Sequence, residues 1–305
     1  METKKPETGI LVPRNCFLWI NNGLVKVDEM FTGDNLLCID HEGKISQFPI
    51  DNNATIHGPM EIVNISTTDA TTMLSTDSEV FLKSGGEKII NLSNNDSIQV
   101  VGPNIITQIK NVLEKNIDDR IGITEIEAEL FSSLNFTIKE PHDTIFEIKD
   151  GKREEIIGKL KNISEKYDAR IFEYGTTIRF SSSLFVTVSD MFLENRVPQI
   201  LRRSTYSVMK VFFENFLLKS QKIPKENYEL INFLQIMAMF ERKQIKKKIT
   251  ENTVNITLST DYTSSKNFSQ IINFNRQMEL VYRIPIHSNW NAIIDNFIVK
   301  KPCPK

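Results

Sequence analysis

Cys16 stands at the head of a short apolar run and is the residue best suited to chemistry. The tetrapeptide Phe-Leu-Trp-Ile follows it, and then a turn and the segment GLVKVDEMFTGD. A cysteine thiolate is a good nucleophile, whereas a neutral cysteine at the start of a strand behaves as a small core residue. The sequence leaves both interpretations of Cys16 open.

Cysteine and histidine spacing argues against a structural zinc site. Cys16, Cys38 and Cys303 and the four histidines contain no C-x-x-C or H-x-x-x-H pair. Few cysteines, in odd number, are typical of a reducing compartment. No apolar run is long enough to span a membrane, and the N-terminus lacks a signal peptide pattern. We therefore expect an intracellular protein, cytoplasmic or nuclear, with no membrane contact.

Basic residues in the second half of the chain are candidates for phosphate binding. The formal net charge is -2, so affinity for DNA must come from a local basic patch. The candidates are Arg202, Arg203, Lys210, Lys243, Lys246, Lys247 and Lys248. A lysine-rich run also suits a solvated helix C-terminus. For residues 242–248 this second interpretation stays open.

The spacing of apolar residues differs between two parts of the 305-residue chain. From 16 to 101, short apolar runs bounded by Asn, Asp, Gly and Ser predict strands, one of them over 35–39. Beyond Gly102 and Pro103, helical spacing predicts helices over 104–116, 124–135, 152–167, 184–195, 205–219 and 225–242. Strands are predicted in this part over 144–148, 170–174, 177–180, 253–259 and 270–274. A Thr-x-x-Glu capping box over 124–127 opens the second helix. Strands over 280–286 and 292–299 then complete a β unit that an α/β insert interrupts.

Several segments carry a resemblance to known families. GLVKVDEMFTGDNLLCID, TTMLSTDSEVFLKSGG and VYRIPIHSNWNAIIDNFIVKKP resemble the Hint module of inteins. NRVPQILRRSTYSVMKVFFENFLLKSQ and IEAELFSSLN resemble the two helical blocks of a LAGLIDADG homing endonuclease. The resemblance implies a mixed β and α/β fold. The expected fold begins with a flexible arm at 1–15. A discontinuous, all-β, horseshoe-shaped Hint-like domain occupies 16–103 and 278–305. An αββαββ LAGLIDADG-like domain is inserted at 104–277.

The Hint resemblance assigns roles that can be checked residue by residue. In that family the first Cys, here Cys16, attacks the carbonyl before it, and a Thr-x-x-His pair polarises that carbonyl. Ser75 and Ser78 occupy the pair, or Thr76 and Glu79 in a shifted register. Neither register supplies the histidine.

The closing residues of the resemblance depart further from the family pattern. Arg283 replaces an aspartate, and Lys300 and Lys301 replace the terminal His-Asn pair, whose Asn must cyclise to release the downstream segment. Lysine cannot perform that cyclisation. We expect protein splicing to be lost.

The nuclease resemblance implies Mg²⁺ held by one carboxylate at the end of each block helix. In the second block the acidic positions align with Leu218 and Ser220, and the first block has no acid before Glu140. Glu140 and Glu214 are the nearest substitutes. We therefore expect no metal or other cofactor, with Mg²⁺ required only if the nuclease is active.

The sequence favours a degenerate intein-like protein that keeps its architecture to bind double-stranded DNA or a protein without catalysis, and we expect it to be a monomer. Two alternatives stay open. One is an active Mg²⁺-dependent homing endonuclease that cuts both DNA strands. The other is residual autocleavage, in which Cys16 forms a thioester at Asn15 that water or a thiol opens.

Overall fold

The structure is a computed structural model that describes residues 9–50, 55–67, 70–82, 85–115, 122–133, 135–139, 141–148, 151–194, 196–218, 221–224, 226–250, 252–259, 267–286 and 290–300. These residues form a mixed fold rich in antiparallel sheets, with seven α-helices. No helix in these ranges has the length and apolar character that crossing a membrane requires.

Strands from both ends of the chain build one large sheet, which we call the terminal unit. It contains thirteen strands. They are β1 (Gly9–Pro13), β2 (Phe17–Ile20), β3 (Gly23–Lys26), β4 (Asn35–Ile39), β5 (Ile45–Pro49), β6 (Thr55–Thr67), β7 (Thr71–Ser75), β8 (Glu79–Leu82), β9 (Gly85–Lys88), β10 (Ser97–Gln99), β18 (Phe268–Pro285), β19 (Asn291–Ile294) and β20 (Phe297–Lys300).

The two chain ends meet directly within the terminal unit. Leu18 of β2 pairs with Ile294 of β19, and the Asp295 amide donates to the Phe17 carbonyl at 2.8 Å. The neighbouring β4 also pairs with β19, through Cys38 and its partner Ala292. Residues nearly three hundred positions apart therefore share one hydrogen-bonded ladder.

The middle of the chain forms what we call the central unit. Its helices are α1 (Pro103–Lys115), α2 (Glu125–Ser133), α3 (Arg153–Ser164), α4 (Ser183–Glu194), α5 (Gln199–Arg202), α6 (Tyr206–Phe216) and α7 (Tyr228–Phe240). Its strands are β11 (Asn135–Lys139), β12 (Asp143–Glu147), β13 (Arg170–Tyr174), β14 (Thr177–Ser181), β15 (Gln221–Pro224), β16 (Gln244–Ile249) and β17 (Thr253–Ser259). They form a four-stranded sheet in the order β11-β12-β14-β13 and a three-stranded sheet in the order β15-β17-β16.

Aromatic packing holds the four-stranded sheet against the helices. Phe131 of α2 stacks on Phe192 of α4 with ring centroids 4.2 Å apart, and Phe180 of β14 meets Phe185 of α4 at 4.6 Å. The inward face of the sheet is therefore buried, and its opposite face is left for other contacts. Helix α2 also packs against α6. The helices of the two segments that resemble LAGLIDADG blocks therefore lie side by side.

The predicted capping box at the start of α2 is confirmed. The Glu127 carboxylate accepts from the Thr124 amide at 2.8 Å, and the Thr124 hydroxyl accepts from the Glu127 amide at 3.4 Å. Lys166 also donates to Glu127 at 2.8 Å, so this fully buried acid is neutralised by a cation. The box therefore both starts the helix and ties α2 to the chain after α3.

Two segments differ from the sequence expectation. The arm expected at 1–15 contains β1, whose five residues are all buried and pair with β18, while residues 1–8 lie outside the described ranges. Strand β18 is one continuous strand across 268–285, whereas separate strands were predicted on either side of residue 278. Exposed residues between 272 and 278, among them Asn275, Arg276 and Gln277, hide its continuity, because pairing with β6 holds this segment by backbone bonds rather than by burial.

Two buried arginines join the central unit to the terminal unit. Arg202 at the end of α5 is 1% exposed and donates to both Glu29 carboxylate oxygens at 2.7 Å. Arg203 donates to both Asp34 carboxylate oxygens, at 2.9 and 2.8 Å. The backbone at Gly23 has φ of +138°, and a Cβ there would collide with the Arg202 carbonyl. The interface thus depends on matched charges and on a glycine that allows close approach.

Loss of the Arg202 guanidinium should destabilise the protein far more than loss of an exposed one. In Arg202→Ala, Glu29 loses both hydrogen bonds to the guanidinium and keeps the Lys26 ammonium, at 3.5 Å, as its remaining cationic partner among the described residues. Removing one partner of a buried pair costs about 3 to 5 kcal/mol. Arg276→Ala is the matched control, since Arg276 pairs with Glu61 at 3.4 Å on the surface, where such pairs contribute about 0 to 1 kcal/mol. Urea unfolding measures both. Equal losses would contradict the interface described.

Candidate nucleic-acid interface

The three-stranded sheet of the central unit presents three lysines on one face. Side chains alternate between the two faces of a strand. Ile223, Val254 and Ile256 are buried on the inner face. In the register, Lys222 of β15 lies opposite Asn255 of β17, which lies opposite Lys248 of β16, and Thr257 lies opposite Lys246. We call the outward set the lysine face: Lys222, Lys246, Lys248, Asn255 and Thr257.

The lysine face carries three exposed ammonium groups, those of Lys222, Lys246 and Lys248. Within the described parts of the chain, no carboxylate pairs with any of the three. Neighbouring strands are about 5 Å apart, so β15 and β16 place their lysines about 10 Å apart across the sheet. The face therefore presents cations and hydrogen-bonding side chains together on one sheet surface.

The structure separates the seven basic residues chosen from the sequence. Lys246 and Lys248 lie on the lysine face, on a strand. Residues 246–248 are thus not a solvated helix end, because α7 stops at Phe240. Lys247 points to the other side of β16, with its ammonium 3.4 Å from the Thr71 hydroxyl.

The remaining four basic candidates are held by carboxylates. Lys210 lies 3.2 Å from Glu241, and Lys243 lies 2.7 Å from Glu214. Arg202 and Arg203 are buried between the two units and bound to Glu29 and Asp34. Both guanidinium groups are buried in that interface, so neither presents a donor to an external phosphate.

Sequence reasoning missed Lys222 because it lies in the short segment QKIP, outside the basic run at 242–248. Its significance comes from its cross-strand neighbours, Asn255 and Lys248, which are distant in sequence. The alternation of Lys222 with buried Ile223 was the only local signal.

A cleft of about 1130 Å³ opens where α2 and α6 end and the two sheets of the central unit begin. Ser133 and Asn135 line it on one side, and Asn215 and Lys222 on the other. The resemblance places the metal of a nuclease at such helix ends, where α2 and α6 here present hydroxyl and amide side chains. Four glutamates also line the cleft. Glu129 and Glu155 both bind Lys159, and the other two are Glu147 and Glu194.

The two acids proposed from the sequence as Mg²⁺ ligands do not meet at the cleft. Glu214 lies in the last turn of α6, closer to the helix end than predicted, but it binds Lys243 and does not line the cleft. Glu140 lies outside the described residues. Among the described residues, no three His, Cys, Asp or Glu side chains converge.

Cys16 lies in a buried polar cluster in the terminal unit. Its thiol is 0% exposed and donates to the Met73 carbonyl at 3.1 Å. Burial, together with the nearby Asp295 carboxylate, raises the pKa of the Cys16 thiol well above its usual range. A thiol in this environment stays protonated at neutral pH and is a poor nucleophile.

Asp295 is the centre of this cluster and joins both units. Its carboxylate accepts from the Phe17 amide at 2.9 Å, the Thr72 hydroxyl at 2.5 Å and the Asn232 amide of α7 at 2.7 Å. Burial raises the pKa of Asp295 to about 6, although these hydrogen bonds oppose the shift. The sequence did not identify Asp295 or Thr72 as neighbours of Cys16.

Ser75 and Ser78, the other candidate catalytic residues, are buried but bond elsewhere. The Ser75 hydroxyl accepts from the Asp77 amide at 3.3 Å. The Ser78 hydroxyl has no hydrogen-bond partner among the described residues. The polar side chains next to the Cys16 thiol are Thr72 and Asp295. Lys300, aligned with the family's terminal histidine, instead lies 3.6 Å from Glu79.

The raised pKa of Asp295 predicts a specific dependence of stability on pH. Since the folded protein holds this proton more tightly than the unfolded chain, Asp295 favours folding at low pH, and that contribution is lost as pH rises through about 6. Asp295→Asn keeps the shape and cannot ionise. Between pH 4.5 and 7.5 the wild type should lose about 2 kcal/mol relative to this variant. Parallel urea-unfolding profiles of the two proteins would contradict the assignment.

No family model matches this sequence, and no curated protein matches it. Among solved structures, I-DmoI in complex with DNA and Mn has 14% sequence identity and a TM-score of 0.32, covering 44% of this chain and 89% of that chain. Mesophilic variants of the homing endonuclease I-DmoI have 13% identity and a TM-score of 0.34, covering 45% and 83%. The likeness extends over less than half of this chain.

Proposed function

We propose that this chain is an intein-derived, homing-endonuclease-like protein that binds double-stranded DNA through the central unit, without protein splicing or DNA cleavage. The observation that carries the proposal is the lysine face. Lys222, Lys246 and Lys248 lie on one exposed sheet surface with no carboxylate partner among the described residues.

Electrostatics favours this surface over the rest of a chain with net charge -2. Most other lysines near it, such as Lys210 and Lys243, are paired with glutamates and add little attraction for an anion. Lysines that neutralise phosphates release condensed counterions, which supplies most of the non-specific affinity for DNA. Asn255 and Thr257 between the lysines add hydrogen-bonding groups that can reach base edges or sugars.

Absence of cleavage in this proposal follows from the chemistry at the helix ends. Phosphodiester hydrolysis by this class of site needs carboxylates that position a divalent cation on the scissile phosphate. The described ends of α2 and α6 offer Ser133 and Asn215 to the cleft instead. A protein with this arrangement is expected to bind DNA and leave it intact.

Absence of splicing follows from the surroundings of Cys16. An acyl shift requires an ionisable, accessible thiol, whereas Cys16 is fully buried and next to the carboxylate of Asp295. Arg283, Lys300 and Lys301 occupy the positions where the resembled family needs its remaining catalytic groups. Cys16 acts as a packing residue in this proposal.

The triple variant Lys222→Ala, Lys246→Ala, Lys248→Ala should weaken duplex binding and flatten its salt dependence. Each lost phosphate contact lowers the slope of log K against log salt by about 0.9, so the slope should fall by about 2 to 3. This slope can be measured by gel shift or fluorescence anisotropy with a duplex of random sequence. The salt concentration is varied from about 25 to 200 mM, roughly the range in which loss of phosphate contacts changes the affinity strongly.

The control removes the same charge from elsewhere on the surface. Lys115 of α1, Lys139 of β11 and Lys161 of α3 are exposed and form no ion pair with a described residue. Their triple alanine variant should keep most of the duplex affinity. If both variants lose affinity equally, only net charge matters and the lysine face is not the interface. A wild type that shows no shift at low salt overturns DNA binding itself.

The two catalytic alternatives are tested separately. An intact duplex after incubation with Mg²⁺ is expected, and site-specific cutting would instead establish the nuclease. Autocleavage is tested by measuring the intact mass of the wild type and of Cys16→Ala, both in dithiothreitol. Both proteins should be full-length, so their masses should differ only by the substitution. Loss of the first fifteen residues in the wild type alone would show that the thiol still reacts.

A further inference from the structure

The four-stranded sheet of the central unit exposes two aromatic rings on its outer face. Ile178 and Phe180 of β14 are buried on the inner face, so Arg179 points outward. Phe172 of β13 lies opposite Arg179, and Tyr174 lies two residues further along the same strand. Phe172 is 38% exposed and Tyr174 is 56% exposed. Both rings therefore stand on an open sheet surface.

Arg179 packs against one of the two rings. Its guanidinium lies 5.4 Å from the centre of the Phe172 ring and 2.6 Å from the Asp143 carboxylate. The bond to Asp143 raises the pKa of the Arg179 guanidinium, and the nearby Tyr174 hydroxyl raises it further. Asp143 thus holds in place a cation that lies over the Phe172 ring.

Arg170 extends this surface along β13. It lies two residues before Phe172, so Arg170, Phe172 and Tyr174 alternate onto the same face. Arg170 is exposed and forms no ion pair with a described residue. Glu173 points to the other face and binds Arg153 at 3.0 Å. We call the set Arg170, Phe172, Tyr174 and Arg179 the ring platform.

We propose that the ring platform binds unpaired bases of a single-stranded nucleic acid, with one base stacked on Phe172, the next on Tyr174, and Arg170 on the adjoining phosphate. This inference rests on the proposed nucleic-acid binding and adds a second mode to it. The lysine face supplies sequence-independent attraction to phosphates, and the ring platform recognises bases that are not paired.

The spacing of the rings excludes stacked duplex bases as their partners. Residues two apart on a strand are about 7 Å apart, whereas stacked bases lie about 3.4 Å apart along a strand. Only bases drawn out of a continuous stack can each cover one ring. Duplex bases also hide their faces from a protein surface, and single strands offer them to aromatic side chains.

The test compares single strands and duplexes of one sequence, labelled with fluorescein and measured by anisotropy. The double variant Phe172→Ala, Tyr174→Ala should weaken binding of the single strand about 10-fold or more, because base stacking contributes about 1 to 3 kcal/mol per base. Binding of the duplex should change less than about 2-fold, and the salt slope should stay the same because no phosphate contact is removed.

Two further variants keep the result interpretable. Phe172→Tyr, Tyr174→Phe retains both rings and should restore single-strand affinity. Phe31→Ala is the matched control: Phe31 is an exposed ring in the terminal unit with the Arg203 guanidinium 4.4 Å above it, and its loss should not weaken single-strand binding. Circular dichroism confirms that each variant is folded.

A direct readout comes from photocrosslinking of a strand that contains 5-iodouracil. Crosslinks at Phe172 or Tyr174, found by mass spectrometry, support the ring platform. Unchanged single-strand affinity in the double alanine variant overturns it, as does an equal loss for duplex. A wild type that binds single strands but not duplex overturns the proposed function and leaves this inference standing. A wild type that binds neither overturns both.

Discussion

The bidentate bonds of Arg202 to Glu29 and Arg203 to Asp34 hold the central unit against the terminal unit. Burying a guanidinium costs free energy, which the paired carboxylates offset together with the backbone carbonyls that accept from the two arginines. Close approach at Gly23 brings the α5 backbone onto the β2-β3 turn. The surfaces that the central unit offers to a partner are therefore fixed relative to the terminal unit.

Helix α7 makes another connection between the two units. It also connects the terminal unit to the lysine face. Phe240 stacks on Trp19 of β2 with ring centroids 4.7 Å apart, and Asn232 donates to Asp295. The chain then runs directly from α7 into β16, which carries Lys246 and Lys248. Residues around Cys16, which in the resembled family would perform chemistry, here support a helix and through it the strand proposed to meet DNA.

The two sheets of the central unit differ in chemistry despite their common position beside the cleft. One carries lysines that have no carboxylate partner among the described residues, together with Asn255 and Thr257. The other carries the exposed rings of Phe172 and Tyr174, beside an arginine that Asp143 already binds. Free cations favour a continuous phosphate backbone, whereas exposed rings favour unpaired bases. In the proposed function, affinity and discrimination between nucleic-acid forms thus come from separate surfaces, which explains why net charge alone is a poor guide to binding.

The sequence by itself determined the elements with strong local signals: β4, β13 and β17 have the bounds that alternation and turn residues predict, and the Thr124 capping box starts α2. Tertiary structure alone decided which groups are available. Arg202 looks like a phosphate ligand until it meets Glu29, 173 positions away, and Lys222 gains its role only from strands that pair with it across the sheet. Burial and partnership of a charge depend on contacts distant in sequence, and local patterns carry no record of them.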